Sequence, residues 1–194
     1  MKKILTFICL LFTTDFIAAQ SAPEGLFIGS KAPDFKTKDQ NGIELRLKDS
    51  LKKGKVVLVF YRGHWSPDCN KELKRLQDSL PLIKDKKAVL IAITPEKPEG
   101  IIKTIEKTAA TYPIIFDDKL KIMKAYDVAF EVPQNVLTRY HNTGIDIEEN
   151  NGTNGKFLPV PAVYIIDKES NIIYRFFEQD FKKRPSVKEI LRNL

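Results

Sequence analysis

The chain reads as one α/β domain in layers, helices packed on a mixed β-sheet. Two runs of β-branched and aliphatic residues, KVVLVFY (55–61) and AVLIAIT (88–94), show little polar alternation, as strands buried on both faces do. Stretches of helical periodicity separate such runs, an interleaving that builds a layered sandwich. Near the end, two β-rich runs flank a polar turn; an antiparallel pair there makes the sheet mixed. The 194 residues, 43% hydrophobic and 29% charged, suit a single globular core. No internal repeat or linker divides them.

The first residues, MKKILTFICLLFTTDFIAAQSA, combine two lysines, an apolar run and small residues. That is the layout of a secretory signal peptide cleaved between Ala19 and Ala22. Residues 1–21 are therefore expected to be removed and residues 22–194 to form the domain, periplasmic or secreted. The apolar run is short for a membrane span and carries Asp15, so no stable membrane anchor is expected after cleavage. Cys9 has no small residue before it, which argues against lipid attachment, and it leaves with the segment. Cys69 is then the single cysteine: a reactive thiol, an intermolecular partner, or a buried and inert side chain.

Along the domain, residues 25–49 are extended, with a hairpin turn at Asn41-Gly42. The strand at 55–61 follows, and Ser66 and Pro67 open a helix with Leu73, Leu76 and Leu80 on its apolar side. After the strand at 88–94, Pro98 and Glu99 lead into a helical stretch (101–110). PIIF (113–116) is a third strand, followed by a helix around 119–126. From Glu131 to Pro159 periodicity dissolves, and this reads as a long loop insertion in which Gln134 to Tyr140 allows a helix. The sequon at Asn151-Gly152-Thr153 matters only in a host that glycosylates its exports. The runs around KESN form the final hairpin (160–178). RPSVKEILRNL closes the chain as a helix, with Ser186 and Glu189 as a capping box and Val187, Ile190, Leu191 and Leu194 facing inward.

The net charge is +7, with basic groups at Lys52, Lys53 and Lys55, at Lys84, Lys86 and Lys87, and at Lys182, Lys183 and Arg184. Acidic residues are interleaved and no nucleic-acid motif accompanies them, so these read as solvated faces and no nucleic-acid partner is expected. No phosphate-cradling glycine loop or serine-hydrolase elbow occurs. His64, Cys69 and His141 lack zinc-ligand spacing, so neither metal nor cofactor is expected.

The candidate chemistry lies in YRGHWSPDCNKEL (61–73), where a strand hands over to a helix. Ser66 suits the N-cap, Pro67 the first helical position and Asp68 the positive dipole end. Cys69 falls at the third helical position, where unpaired N–H groups favour the thiolate. Arg62 adds positive charge and Asp68 opposes it. Cys69 also shares a face with Leu73, Leu76 and Leu80, where a thiol behaves as a small hydrophobe. Position alone leaves reactive and inert equally open. His64 suits a base or a substrate polariser but has no visible partner, and reads as incidental. Trp65 reads as packing on the sheet.

APDF (32–35), DQNG (39–42), VVLVFYRGHWSPDCNKEL (56–73) and VPAVYIIDKESNIIYRFF (160–177) together resemble the peroxiredoxin-like proteins of the alkyl hydroperoxide reductase C and thiol-specific antioxidant family. The resemblance runs from about Gly29 to the C-terminus. It implies a thioredoxin-like fold, with an N-terminal extension and a loop insertion before the final hairpin. It casts Cys69 as the thiol that attacks a hydroperoxide and Ser66 as the Thr/Ser three residues before it. Glu72 matches the carboxylate three residues after, and Arg62 would stabilise the thiolate and the departing oxygen.

Arg62 stands where the family carries proline. Pro161 stands where the family carries an arginine facing the thiolate, and instead resembles the cis-proline of thioredoxins. Ser66 replaces the first cysteine of relatives that read YRG-x-WCPxC, so dithiol chemistry is not available. The resemblance implies a one-cysteine thiol peroxidase, with a hydroperoxide as substrate and an external thiol or thioredoxin-like protein as reductant; a homodimer is one assembly left open. Two alternatives stand beside it: monothiol exchange through a groove at Val160-Pro161, and a redox-inactive binding module using 131–159.

Overall fold

The computed structural model describes residues 22–194; the signal-peptide reading of 1–21, with Cys9, lies outside the described residues. A small hairpin, β1 (Lys36–Lys38) and β2 (Glu44–Arg46), leads through α1 (Leu47–Lys53) to the first central strand, β3 (Val56–Phe60). Then come α2 (Pro67–Asp78), α3 (Leu80–Asp85), β4 (Val89–Thr94), α4 (Pro98–Thr108), β5 (Ile114–Phe116) and α5 (Lys121–Ala125). β6 (Ala129–Glu131), α6 (Gln134–Asn142), α7 (Ile147–Asn151) and β7 (Phe157–Pro159) precede β8 (Ala162–Ile166), β9 (Ile172–Phe177) and α8 (Val187–Asn193).

The central sheet has five strands in the order β5-β4-β3-β8-β9. β3, β4 and β5 are parallel, while β8 runs antiparallel to both β3 and β9. The continuous apolar runs follow from burial on both faces. Val57, Val59 and Tyr61 point into one core with α2, α4 and α8, while Val56, Leu58 and Phe60 point into the other with α1 and α5. The mixed layered sandwich expected from sequence is the observed architecture.

Four local expectations change. The short helices α1 and α3 are too brief to announce themselves by periodicity. The helix expected at 119–126 is interrupted at its start: Asp118–Leu120 is a short 3-10 turn in which Lys119 and Leu120 take left-handed backbone. It becomes α-helical only where the buried Asp117 carboxylate accepts from the N–H groups of Ile122 (2.9 Å) and Met123 (2.7 Å). Ser186 caps α8 by accepting from Glu189 N–H (3.1 Å), but the Glu189 carboxylate accepts from the Tyr174 hydroxyl instead of closing the box.

The stretch 131–159 is ordered structure, not a loop. β6 pairs with β7, and Val132, Leu137, Ile147 and Leu158 form a satellite core. The NNGTNG tract is a polar staple. Asn154 Nδ2 donates to the carbonyls of Pro95 (2.8 Å) and Asp117 (3.0 Å), and Asn151 Nδ2 to those of Gly155 (3.0 Å) and Phe157 (2.8 Å). With its amide nitrogen engaged and its side chain buried, Asn151 is unfit to carry a glycan.

The α1–β3 junction fixes the strand that delivers the site. A Cβ added to Gly54 would lie 1.6 Å from the Lys87 carbonyl oxygen, at the start of the β3–β4 pairing. Gly54→Ala should therefore lower the unfolding free energy by ~1–3 kcal/mol or more, read from urea melts. An unchanged midpoint would contradict this packing.

Candidate active site

β3 ends inside the core and residues 61–65 carry the chain to α2. Ser66 has extended backbone and caps the helix: its Oγ accepts from the Cys69 N–H at 3.5 Å. The same oxygen accepts from Arg62 Nη2 at 3.0 Å. Ser66 and Cys69 are both wholly buried. Cys69 belongs to the core beneath α2 with Leu73 and Leu76, as the shared helix face requires; Leu80 falls in α3.

The cation that meets the thiol is Arg184. Its Nη2 lies 3.3 Å from Cys69 Sγ, and its Nε donates to Glu72 Oε2 at 2.5 Å. Cys69 and Glu72 stand three residues apart on one helix, so a single guanidinium spans both. Arg184 comes from the strap between β9 and α8, residues 178–186. Both ion-pair side chains are 4% exposed. Burial works against the Arg184 charge, but its contacts with Glu72 and Cys69 outweigh it and raise its pKa above the ordinary value. Burial pushes Glu72 up to about 7, with Arg184 opposing, and Glu72 Oε1 has no partner.

Arg184 corrects two expectations. It is not part of a solvated basic face with Lys182 and Lys183, and it takes the place at the thiol that was looked for at Pro161. The sequence signal for it was weak, because the strap has no periodicity. The family resemblance points to the strand beside the thiol, whereas Arg184 lies seven residues beyond the end of β9.

Arg62 does not touch the thiol. Nη1 donates to the Tyr140 hydroxyl (2.8 Å) and Nη2 to Ser66, and the guanidinium lies over Phe181 (4.1 Å) and Trp65 (5.1 Å). Its link to Cys69 is indirect, through the Ser66 cap. Tyr140, missed in the sequence, arrives on α6 and packs edge-on against Trp65 at 5.2 Å. Trp65 thus packs against the satellite core, not on the central sheet. Beside Arg62 opens a cleft of about 530 Å³, its walls including Phe130, Pro133, Val160, Pro161 and Phe181. Pro161 is a wall residue, and no peptide bond among the described residues is cis.

His64 has a partner after all. Its Nδ1 is hydrogen-bonded to Glu96 Oε1, and its backbone N–H donates to Glu96 Oε2 (2.9 Å). Glu96 is wholly buried, 32 residues away at the end of β4. The approach needs glycines: a Cβ on Gly63 would meet Trp65 Nε1 at 2.6 Å and Glu96 Oε1 at 2.8 Å, and one on Gly100 would meet the Glu96 side chain at 2.3 Å. Burial pushes Glu96 up to about 7 and, helped by Lys107 and Lys103, pushes His64 down to about 4. Among the described residues no group of three His, Cys, Asp or Glu side chains is placed to hold a metal ion. No helix among them is long and apolar enough to cross a membrane.

A thiol at a capped helix start, faced by a guanidinium held by a carboxylate, is the geometry against which relatives can be compared. Residues 28–175 match the AhpC/TSA family model. The chain belongs to the AhpC/TSA family. Peroxiredoxin Bcp of Bacillus subtilis (strain 168) is 30% identical over 168 residues, covering 86% of this chain and 94% of that protein. Thiol-disulfide oxidoreductase ResA of Geobacillus kaustophilus is 30% identical over 116 residues, 59% of this chain and 64% of that protein. Among solved structures, peroxidoxin BcpB of Mycobacterium tuberculosis gives a TM-score of 0.65 at 21% identity, covering 86% of this chain and 94% of that one. Peroxiredoxin 6 of Arenicola marina gives 0.69 at 19%, covering 87% and 71%. The structural likenesses establish the thioredoxin-like fold of the AhpC/TSA proteins here.

The His64–Glu96 pair has a definite pH response. Between about 4 and about 7 the Glu96 carboxyl keeps its proton and donates to Nδ1 of a neutral imidazole, whose hydrogen is on Nε2. As pH rises through about 7 the carboxyl ionises, and the imidazole must carry its hydrogen on Nδ1 to meet it. The two ¹⁵N shifts of His64 should therefore exchange character between about pH 5.5 and 8.5. Flat shifts across that range would contradict the assignment.

Proposed function

We propose that this AhpC/TSA protein is a one-cysteine thiol peroxidase with Cys69 as the attacking thiol. The observation that carries the reading is the Arg184 guanidinium, 3.3 Å from Sγ and anchored on Glu72. A fixed cation beside sulfur favours the thiolate and meets the negative charge that develops on the peroxide oxygens. The Cys69 thiolate attacks the distal oxygen of ROOH, an S–O bond forms and the O–O bond breaks. The leaving alkoxide takes a proton to become ROH, and Cys69 becomes a sulfenic acid. An external thiol condenses with the sulfenic acid, releasing water, and a second thiol frees Cys69 while the reductant is left as its disulfide.

The single described cysteine makes that reductant external. A solved yeast mitochondrial 1-Cys peroxiredoxin, described as resolved via glutathione/thioredoxin systems, has a TM-score of 0.64 to this chain at 20% identity, and it supports a resolving thiol of that kind. Because Cys69 is wholly buried, peroxide entry requires local opening around the thiol. The layout of residues 1–21 supports export, so the reaction is assigned to the periplasm or exterior. The ResA likeness favours a second reading, monothiol exchange with disulfide substrates.

Purified protein with a peroxide and excess glutathione should consume peroxide, and Cys69→Ser should reduce the rate by ~1000-fold or more. Unchanged peroxide loss in that variant would overturn the peroxidase reading. Mixed disulfides on Cys69 without peroxide turnover would favour exchange.

A further inference from the structure

Arg62 is 5% exposed and sits in the wall of the 530 Å³ cleft. The described carboxylates nearest in role are taken: Glu131, at the cleft rim, pairs with Lys156 at 2.6 Å, and Glu72 pairs with Arg184. A guanidinium has five N–H donors. One Arg62 donor goes to Tyr140 and one to Ser66; Nε has no partner but is shut off from solvent, which leaves one further N–H on each Nη nitrogen. The aromatic faces of Phe181 and Trp65 attract the cation but accept nothing from N–H groups lying in the guanidinium plane. A buried cation with unused donors beside an open, mainly apolar cleft is complementary to an anion with an apolar body.

We propose that this cleft is a binding site for a carboxylate-bearing amphipathic molecule. Its carboxylate is held by the remaining Nη N–H groups of Arg62 and its apolar part lies along Phe130, Pro133, Val160 and Phe181. A carboxylate matches the planar, forked donors of arginine better than a neutral hydroxyl does. The cleft volume is in the range of sites for small organic molecules. This site is separate from Cys69, which is not among the cleft residues. It reaches the thiol only through Arg62 and the Ser66 cap, so the proposal stands independently of the peroxidase reading.

The chain contains one tryptophan, and it lies 5.1 Å from the Arg62 guanidinium, so Trp65 fluorescence is a built-in reporter. Decanoate titrated into the purified chain should change that fluorescence saturably and bind ~10-fold or more tightly than decanol. Arg62→Met should reduce decanoate to the level of decanol, while Cys69→Ser should bind decanoate as the parent does. Ala129→Phe, which fills the cleft from a half-buried wall position, should abolish both ligands and serves if Arg62→Met fails to fold. No saturable change, equal binding of decanoate and decanol, or decanoate binding that survives Ala129→Phe would each overturn the proposal.

Discussion

The site depends on one buried cation. Arg184 reaches 115 residues back along the sequence to Cys69 and 112 to Glu72, and its guanidinium is the one charge among the described residues that touches both. Stripping water from an ion pair costs several kcal/mol per ion in real proteins, so this arrangement is not a cheap route to stability. In the proposed peroxidase its use is electrostatic: a preorganised positive charge beside the attacking sulfur and the departing oxygen. The sequence requirement is strict. Cys69 and Glu72 must share a helix face, and the strap must end where α8 is capped by Ser186.

Two further pieces converge on the same helix start. The sheet contributes β3 and the turn that places Ser66 under the Cys69 N–H. The ordered segment between β6 and β7 contributes Tyr140, which fixes Arg62 from outside and packs edge-on against Trp65. Arg62 then fixes Ser66. Arg184 acts on the thiol itself, the role expected of Arg62, whereas Arg62 acts on its support.

What could be read from the sequence follows from the range of the forces involved. Strands β3, β4 and β8 were legible because burial on both faces writes itself as unbroken apolar runs. The Ser66–Pro67–Cys69 helix start was legible because capping is local to four residues. The segment 131–159 was not, because it is held by a small apolar cluster and by asparagine side chains that bond to backbone carbonyls, those reached by Asn154 lying 59 and 37 residues away, an arrangement with no period. Glu96 as the partner of His64, and Arg184 as the partner of Cys69, are contacts across 32 and 115 residues. Nothing in local spacing reports them. The family resemblance called for an arginine at the thiol but directed the search to the strand instead of the strap after it.

The most direct test is the rate at which reduced Cys69 is converted to sulfenic acid in a single turnover, trapped with a dimedone probe and read by mass. Arg184→Gln removes the charge while keeping a side chain of similar polarity. The account predicts sulfenic acid formation slower by ~100-fold or more in a protein that remains folded by circular dichroism. A rate within about twofold of the parent, well inside the effect expected for losing a preorganised donor, would contradict the assignment of Arg184 as the group that activates the thiol.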